Sequence, residues 1–373
     1  MGQAIVGVIA NPMAGKDIRR LLSHASPTSD AAKIGIVRRA VIGAIEGGAT
    51  EIVLAPDRHR LCERAVLELH LPVAVRVLDY EVEGRREETV LAARTMREQG
   101  ASALIVLGGD GTHRDVAKGW LDAPMVTIST GTNNVFPRNI DATVAGLAAG
   151  VVSVGKIGLD EATERADVIH ALLPNGETDL ALVDVGVVVG SFTGSRAVWS
   201  ADELLGVVSC ITEPDTVGLA SIGARLAPGS RRDAGGVHVV TSSPSKATRI
   251  VRAPIAPGSF ADVGIESWSV LSNEEPVTVV GPCILSFDGE RDIVLEAGAS
   301  ATLRIRRDGP RVIATSTVLR WAAQQELFVR PGPQGQRKAR PVRVAKFSSS
   351  KAPVLGAPPK ATSTRLTSTR STR

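Results

Sequence analysis

The sequence predicts an α/β domain on a parallel sheet, then a mostly antiparallel β domain of sandwich type, then a disordered C-terminal tail. Three observations predict this. Apolar strands alternate with helical periods over residues 1–155, and short β runs separated by turn residues replace that rhythm over 156–330. Residues 331–373 are Pro, Ser, Thr, Lys and Arg with few large apolar side chains. A chain of 373 residues accommodates two domains and an appendage.

Ala4–Ile9 reads as the first strand. Asp30–Gly48 reads as a helix carrying Ile34, Val37, Val41, Ala44 and Ile45 on one face, with glycines at its end. Glu51–Ala55 and Pro72–Leu78 read as strands around a helical stretch, Arg58–Leu69. Gly84–Gly100 is a charged helix leading to the apolar strand Ala103–Leu107. A helix around Asp115–Leu121, a strand Met125–Ser129 and a helix around Asp141–Ala149 complete the first region. Beyond it, β runs fall at Leu180–Val189, Gly236–Thr241, Pro276–Val280, Ile284–Phe287 and Ala301–Arg306, and Thr315–Leu327 has the spacing of a closing helix.

Charge and cysteine usage exclude some functions. The net charge is +4, but Gln334–Arg373 holds ten of the 43 basic residues and no acidic one. The rest carries 33 basic against 39 acidic residues, a net of −6, so the folded body has no basic footprint for nucleic acid. Cys62, Cys210 and Cys283 are odd in number and far apart, which argues against a disulfide framework and fits a reducing compartment. Without a signal-like N-terminus or an apolar run near 18 residues, the expectation is a cytoplasmic protein that does not enter membranes. A homo-oligomer is compatible with the sequence, which does not specify one.

The chemistry concentrates at strand ends. Gly108-Gly109-Asp110-Gly111-Thr112 stands where Ala103–Leu107 hands over to a helix. Glycines let the backbone approach a ligand, and the helix directs N–H groups at whatever sits there, for which phosphate is the natural occupant. Asp110 is repulsive to phosphate unless it handles a proton or reaches a metal ion, and this points to phosphoryl transfer. Its competing role is a turn aspartate capping the next helix. Ser129-Thr130-Gly131-Thr132-Asn133-Asn134 follows the next strand with hydroxyls and amides suited to phosphate, ribose or adenine. Asn11-Pro12-Met13-Ala14-Gly15-Lys16 follows the first strand. It is not a Walker A loop, since Ala10 replaces its first Gly and Asp17 its Ser or Thr, yet Lys16 has the reach to a phosphate. Asp288-Gly289-Glu290 lies between two β runs, the signature of a hairpin turn. His113 lacks metal-like spacing and reads as solvent-facing or satisfied by neighbours.

Together these segments resemble the superfamily of NAD kinases and diacylglycerol or sphingoid kinases over about residues 1–330. Ile9-Ala10-Asn11-Pro12 with Gly15-Lys16-Asp17, and Ser129 to Pro137, look most like the ATP-NAD kinase branch related to acetoin-catabolism protein X. The resemblance implies a Rossmann-like N-terminal domain and transfer of the γ-phosphoryl group of ATP to a hydroxyl, with Mg²⁺ neutralising charge. It further implies that Asp110 orients or deprotonates the acceptor hydroxyl. Asn11, Lys16, Gly108, Gly109, Gly111, Thr112, Thr130, Gly131, Thr132 and Asn133 would hold the nucleotide. By analogy with the lipid-kinase branch, Glu290 joins the active site; no ligand set for the metal is identified. The implied partners are small molecules, ATP and NAD. One departure concerns the acceptor: Thr193-Gly194-Ser195-Arg196-Ala197-Val198-Trp199 only loosely echoes the stretch that grips NAD in bacterial NAD kinases, and the Asn-Glu pair that those enzymes carry soon after the Gly-rich loops has no convincing counterpart after Asn134. A lipid or polyol acceptor, or a nucleotide-binding regulator without turnover, are the alternatives.

Overall fold

A computed structural model describes residues 2–15, 28–130, 134–190, 203–330 and 332, without the side chains of 290–292. The first strands and helices alternate along the chain: β1 (Ile5–Ala10), α1 (Asp30–Glu46), β2 (Glu51–Leu54), α2 (Leu61–Val66), β3 (Ala74–Val77), α3 (Glu87–Glu98), β4 (Ala103–Gly108), α4 (Asp110–Gly119), β5 (Pro124–Ser129) and α5 (Ala142–Ser153). The short α6 (Leu159–Ala162) and β6 (Thr163–Arg165) follow. The β-rich part comprises β7 (Val168–Leu172), β8 (Thr178–Ala181), β9 (Asp184–Val188), β10 (Leu204–Ser209), α7 (Ala220–Leu226), β11 (Gly236–Ser242), β12 (Arg249–Ala256), β13 (Ser259–Leu271), β14 (Val277–Val280), β15 (Cys283–Phe287), β16 (Glu290–Leu295) and β17 (Ser300–Arg306). The chain then returns to the first sheet through β18 (Arg311–Ile313) and ends its described helices with α8 (Thr315–Gln324).

The first sheet has the order β3-β2-β1-β4-β5-β18-β6, parallel up to β18, with β6 antiparallel at the edge. Every residue of β1 and β4 is buried, as expected of central strands covered on both faces. The chain winds from β1 outward through β2 and β3, then crosses back to β4 and β5. The crevice between the carboxyl ends of β1 and β4 is therefore the topological switch point, where such sheets bind ligands. Two antiparallel sheets follow, of order β12-β13-β11-β10-β9-β15-β16 and β14-β17-β7-β8, giving the expected parallel-then-antiparallel layout. One apolar core runs without interruption from Ile5, Met96 and Leu104 of the parallel layer to Val168, Leu285 and Phe287 of the antiparallel sheets.

The differences from expectation have local causes. The helix expected around Asp115 begins at Asp110, because the extended Gly109 serves as its N-cap. The helix expected over 58–69 is confined to Leu61–Val66, since Asp57 accepts from the N–H of Leu61 at 2.8 Å and Arg60 is left-handed, φ 54°. The run expected over 180–189 breaks between β8 and β9, where backbone N–H groups turn to the Asp288 carboxylate. The tail from 333 onward lies outside the described residues.

Candidate active site

At the carboxyl end of β4 the strand passes through Gly108 and Gly109 directly into α4. A Cβ on Gly108 would stand 2.5 Å from the Thr112 side chain, and one on Gly109 would stand 2.9 Å from Asn134 Oδ1. Glycine at these positions thus makes room for neighbouring functional side chains. The N-cap Gly109 supplies no capping side chain, and the start of α4 is by its dipole a favourable place for an anion. Asp110, half-buried, opens this helix. Its Oδ1 accepts hydrogen bonds from the N–H groups of Val135 at 3.0 Å and Phe136 at 2.9 Å, and Oδ2 a further contact from Val135 at 3.2 Å. Both oxygens act as acceptors, which fixes the plane of the carboxylate. Asp110 is therefore held by the loop after β5 and does not cap its own helix, the competing role weighed for it.

Three strand ends meet around this carboxylate. Asn11, leaving β1, donates from Nδ2 to Thr112 Oγ1 at 2.9 Å, and its Oδ1 accepts from Met13 N at 2.8 Å. Thr130, leaving β5, donates its N–H to Gly108 O at 3.3 Å and accepts at its carbonyl from Thr28 Oγ1 at 3.3 Å. Thr130 Oγ1 is buried with no hydrogen-bond partner among the described residues. Asn134 is held by Nδ2 donating to Ser129 Oγ at 2.7 Å. Asn11, Gly108, Gly109, Asp110, Gly111, Thr112 and Thr130 thus share one edge of the sheet. Lys16, Gly131, Thr132 and Asn133 lie outside the described residues, as does the Thr193–Trp199 stretch.

The Asp288-Gly289 signal is a hairpin turn. Both residues have positive φ, 50° and 81°, as a two-residue type I′ connection requires, and Phe287 pairs with Glu290 across it. The Asp288 side chain points inward, where its carboxylate accepts from Leu182, Val183 and Asp184 N–H groups at 2.8–3.3 Å. Burial pushes its pKa up, against Arg114 and those N–H groups. Glu290 opens β16, and its side chain is outside the description. Arg114 brings this hairpin to α4. Its fully buried guanidinium stacks on Phe287 at 4.8 Å, donates Nε to Leu180 O at 2.6 Å and pairs with Asp179 at 2.9 Å.

Several supporting residues carry no sequence motif. Lys33, fully buried in α1, donates from Nζ to Pro12 O at 2.6 Å and so fixes the loop that presents Asn11. A lone Lys in an amphipathic helix reads as a surface residue, so nothing in the sequence marks it. His113 is fully buried, not solvent-facing. Its Nδ1 bonds to Gly109 O at 2.8 Å, which makes Nδ1 the protonated nitrogen, and its ring packs on Phe136 at 5.6 Å. Desolvation pulls its pKa down to about 4, so the imidazole is neutral near pH 7. Arg231, from the loop after α7, donates to the carbonyls of Val135 and Phe136 and is itself held by Glu213, from the loop before α7.

The arrangement offers an oriented carboxylate, an uncapped helix start, and hydroxyl and amide groups at a switch point. Among the described residues no group of three His, Cys, Asp or Glu forms a metal centre. A magnesium ion carried by a nucleotide asks less, commonly one or two carboxylates plus phosphate oxygens, and Asp110 fits that donor set. No helix among the described residues is long and apolar enough to cross a membrane.

Comparison with known proteins adds the following. Residues 56–156 match the model of the ATP-NAD kinase N-terminal domain, and residues 167–308 that of the acetoin catabolism protein X C-terminal domain. Acetoin catabolism protein X of Cupriavidus necator is 33% identical over 338 residues, covering 87% of this chain and 94% of that protein. A putative diacylglycerol kinase from Bacillus anthracis is 13% identical, with 83% of this chain and 99% of that chain covered at a TM-score of 0.39, a loose likeness.

Proposed function

This chain belongs to the acetoin catabolism protein X family, and from that premise we propose that it is an ATP-dependent kinase transferring the γ-phosphoryl group to a hydroxyl, with NAD as acceptor and NADP as product. The single observation that carries the reading is Asp110, held by two backbone N–H groups at the carboxyl ends of the central strands. The kinase-type N-terminal domain supports phosphotransfer as the reaction class.

In this reading the start of α4 receives donor phosphate, because its first N–H groups and the helix dipole favour negative charge there. Asn11, Thr112 and Thr130, with Lys16, Gly131, Thr132 and Asn133, line the nucleotide site. Asp110, with the phosphate oxygens of ATP, would hold a nucleotide-borne Mg²⁺, which would supply neutralisation of phosphate charge. Asp110 accepts the hydrogen bond of the acceptor hydroxyl and aligns its oxygen with the phosphorus. Its backbone donors fix the carboxylate before substrate arrives, so positioning and electrostatics supply most of the rate enhancement. Glu290, at the hairpin that Arg114 ties to α4, is the second acidic candidate.

The test is a panel of acceptors, namely NAD, a diacylglycerol, polyols and acetoin, itself a secondary alcohol suggested by the relative's name. Each is incubated with purified protein and Mg-ATP. NADP formation supports the reading. ADP release with a different acceptor alone reassigns the acceptor, and nucleotide binding without product from any of them favours a regulatory protein.

A further inference from the structure

We propose that Arg231 is a positioning residue for Asp110, acting through the peptide group that joins Val135 to Phe136; the inference rests on the role given to Asp110 above. The N–H of that peptide belongs to Phe136 and donates to Asp110 Oδ1 at 2.9 Å. Its carbonyl belongs to Val135 and accepts from Arg231 Nη2. Carboxylate and guanidinium therefore grip opposite ends of one peptide plane. A cation on the oxygen polarises the whole amide and strengthens its N–H as a donor, while the two grips together remove rotation about the plane.

The guanidinium is itself well fixed. Nη1 donates to Phe136 O at 2.8 Å, and Nε donates to Glu213 Oε2 at 2.7 Å. The plane also lies 5.9 Å from the Phe136 ring centre. The same Glu213 accepts from Arg138 at 3.2 Å, so it holds both the clamp and the far end of the clamped segment. Behind Arg231, Arg307 pairs with Asp167 through two contacts of 2.9 Å and donates to the carbonyls of Arg231 and Asp233. Planar, multiply donating recognition of two carbonyls and a carboxylate is what a guanidinium provides and an ammonium does not.

The experiment compares wild type, Arg231→Met and Arg231→Lys by two readings. The first is kcat and KM for phosphoryl transfer to the acceptor that the panel identifies. The second needs no activity: the ¹H–¹⁵N resonances of Val135 and Phe136, assigned with Asp110→Asn as reference. The expected result for Arg231→Met is kcat lower by about 10–100-fold with KM for ATP within about twofold, as for lost alignment rather than lost binding. The Phe136 amide proton moves upfield, toward a weaker hydrogen bond. Arg231→Lys recovers part of both. An unmoved Phe136 resonance with wild-type kcat overturns the inference, as do shifts spread evenly through the core with kcat and KM altered alike. If Arg231→Met does not fold, Arg231→Lys decides by the same readings. A wild type inactive on every acceptor defeats the proposed function, and the Phe136 resonance still decides whether Arg231 orders the segment that holds Asp110.

Discussion

Asp110 and His113 occupy one turn of α4 and are controlled by opposite means, the first by donated hydrogen bonds and the second by exclusion of water. A neutral buried His113 makes stability depend on pH. Its folded pKa of about 4 lies below the ordinary 6.5, so the unfolded chain binds the extra proton first as pH falls. Its contribution is intact above about pH 6.5 and is lost progressively down to about pH 4, up to about 3 kcal/mol in all. Asp288 and Asp115, whose carboxyls burial pushes up, work in the opposite direction, so the dependence is isolated by comparison with His113→Gln. Urea unfolding across pH 4–7 is expected to show a steeper acid limb for wild type than for the variant, and parallel limbs would refute the assignment. The sequence made Asp110 legible because glycines and a strand end flag it. It left His113 ambiguous, since burial of a single histidine is decided by what packs over it, here Phe136 from a loop after the next strand.

At the scale of elements, the crossing of α1 and α5 sets how closely the helices cover the sheet. Gly43 and Gly47 of α1 and its C-cap face Gly146 and Gly150 of α5, and a Cβ on Gly146 would come within 1.9 Å of Ala40 O. Gly146→Ala is expected to cost at least about 2 kcal/mol by forcing the helices apart. Gly35→Ala, whose Cβ would meet nothing closer than 3.7 Å, is expected to be neutral or stabilising by up to about 1 kcal/mol. Urea midpoints compare the two directly, and equal effects would contradict the packing argument. The helices themselves were legible from periodicity, with Ser29 and Asp141 as N-caps accepting from Ala32 and Thr143. Their glycine contact was not, because it depends on two segments a hundred residues apart meeting at one height. The hairpin at Asp288-Gly289 was legible in full from two residues, whereas the inward turn of Asp288 follows from three N–H groups at a strand break that no local pattern marks.

For the molecule as a whole, the parallel layer and the antiparallel sheets share one core, and Arg114 is the polar tie through it. Arg114→Met leaves the Asp179 carboxylate with Lys118 and the Leu180 N–H and removes the guanidinium donor from the Leu180 carbonyl. The expected loss is about 3–5 kcal/mol in denaturant unfolding, and a loss below about 1 kcal/mol would mean the tie is dispensable. The change of texture near residue 156 was visible in the sequence, but the return of β18 to pair with β5 was not. Three residues of strand carry too little periodicity to announce a long-range pairing. The acidic body, with its basic residues offset into the last forty positions, agrees with a small-molecule site at the switch point of the sheet. The proposed function gives the phosphoryl-transfer role at that site to the carboxylate of Asp110, and the most direct measurement is NADP formation from NAD and saturating Mg-ATP by wild type and Asp110→Asn, with ATP binding followed in parallel. Product from wild type, and a rate about 10²-fold lower or less in the variant with ATP binding retained, is the predicted result; equal rates in the two proteins would contradict it.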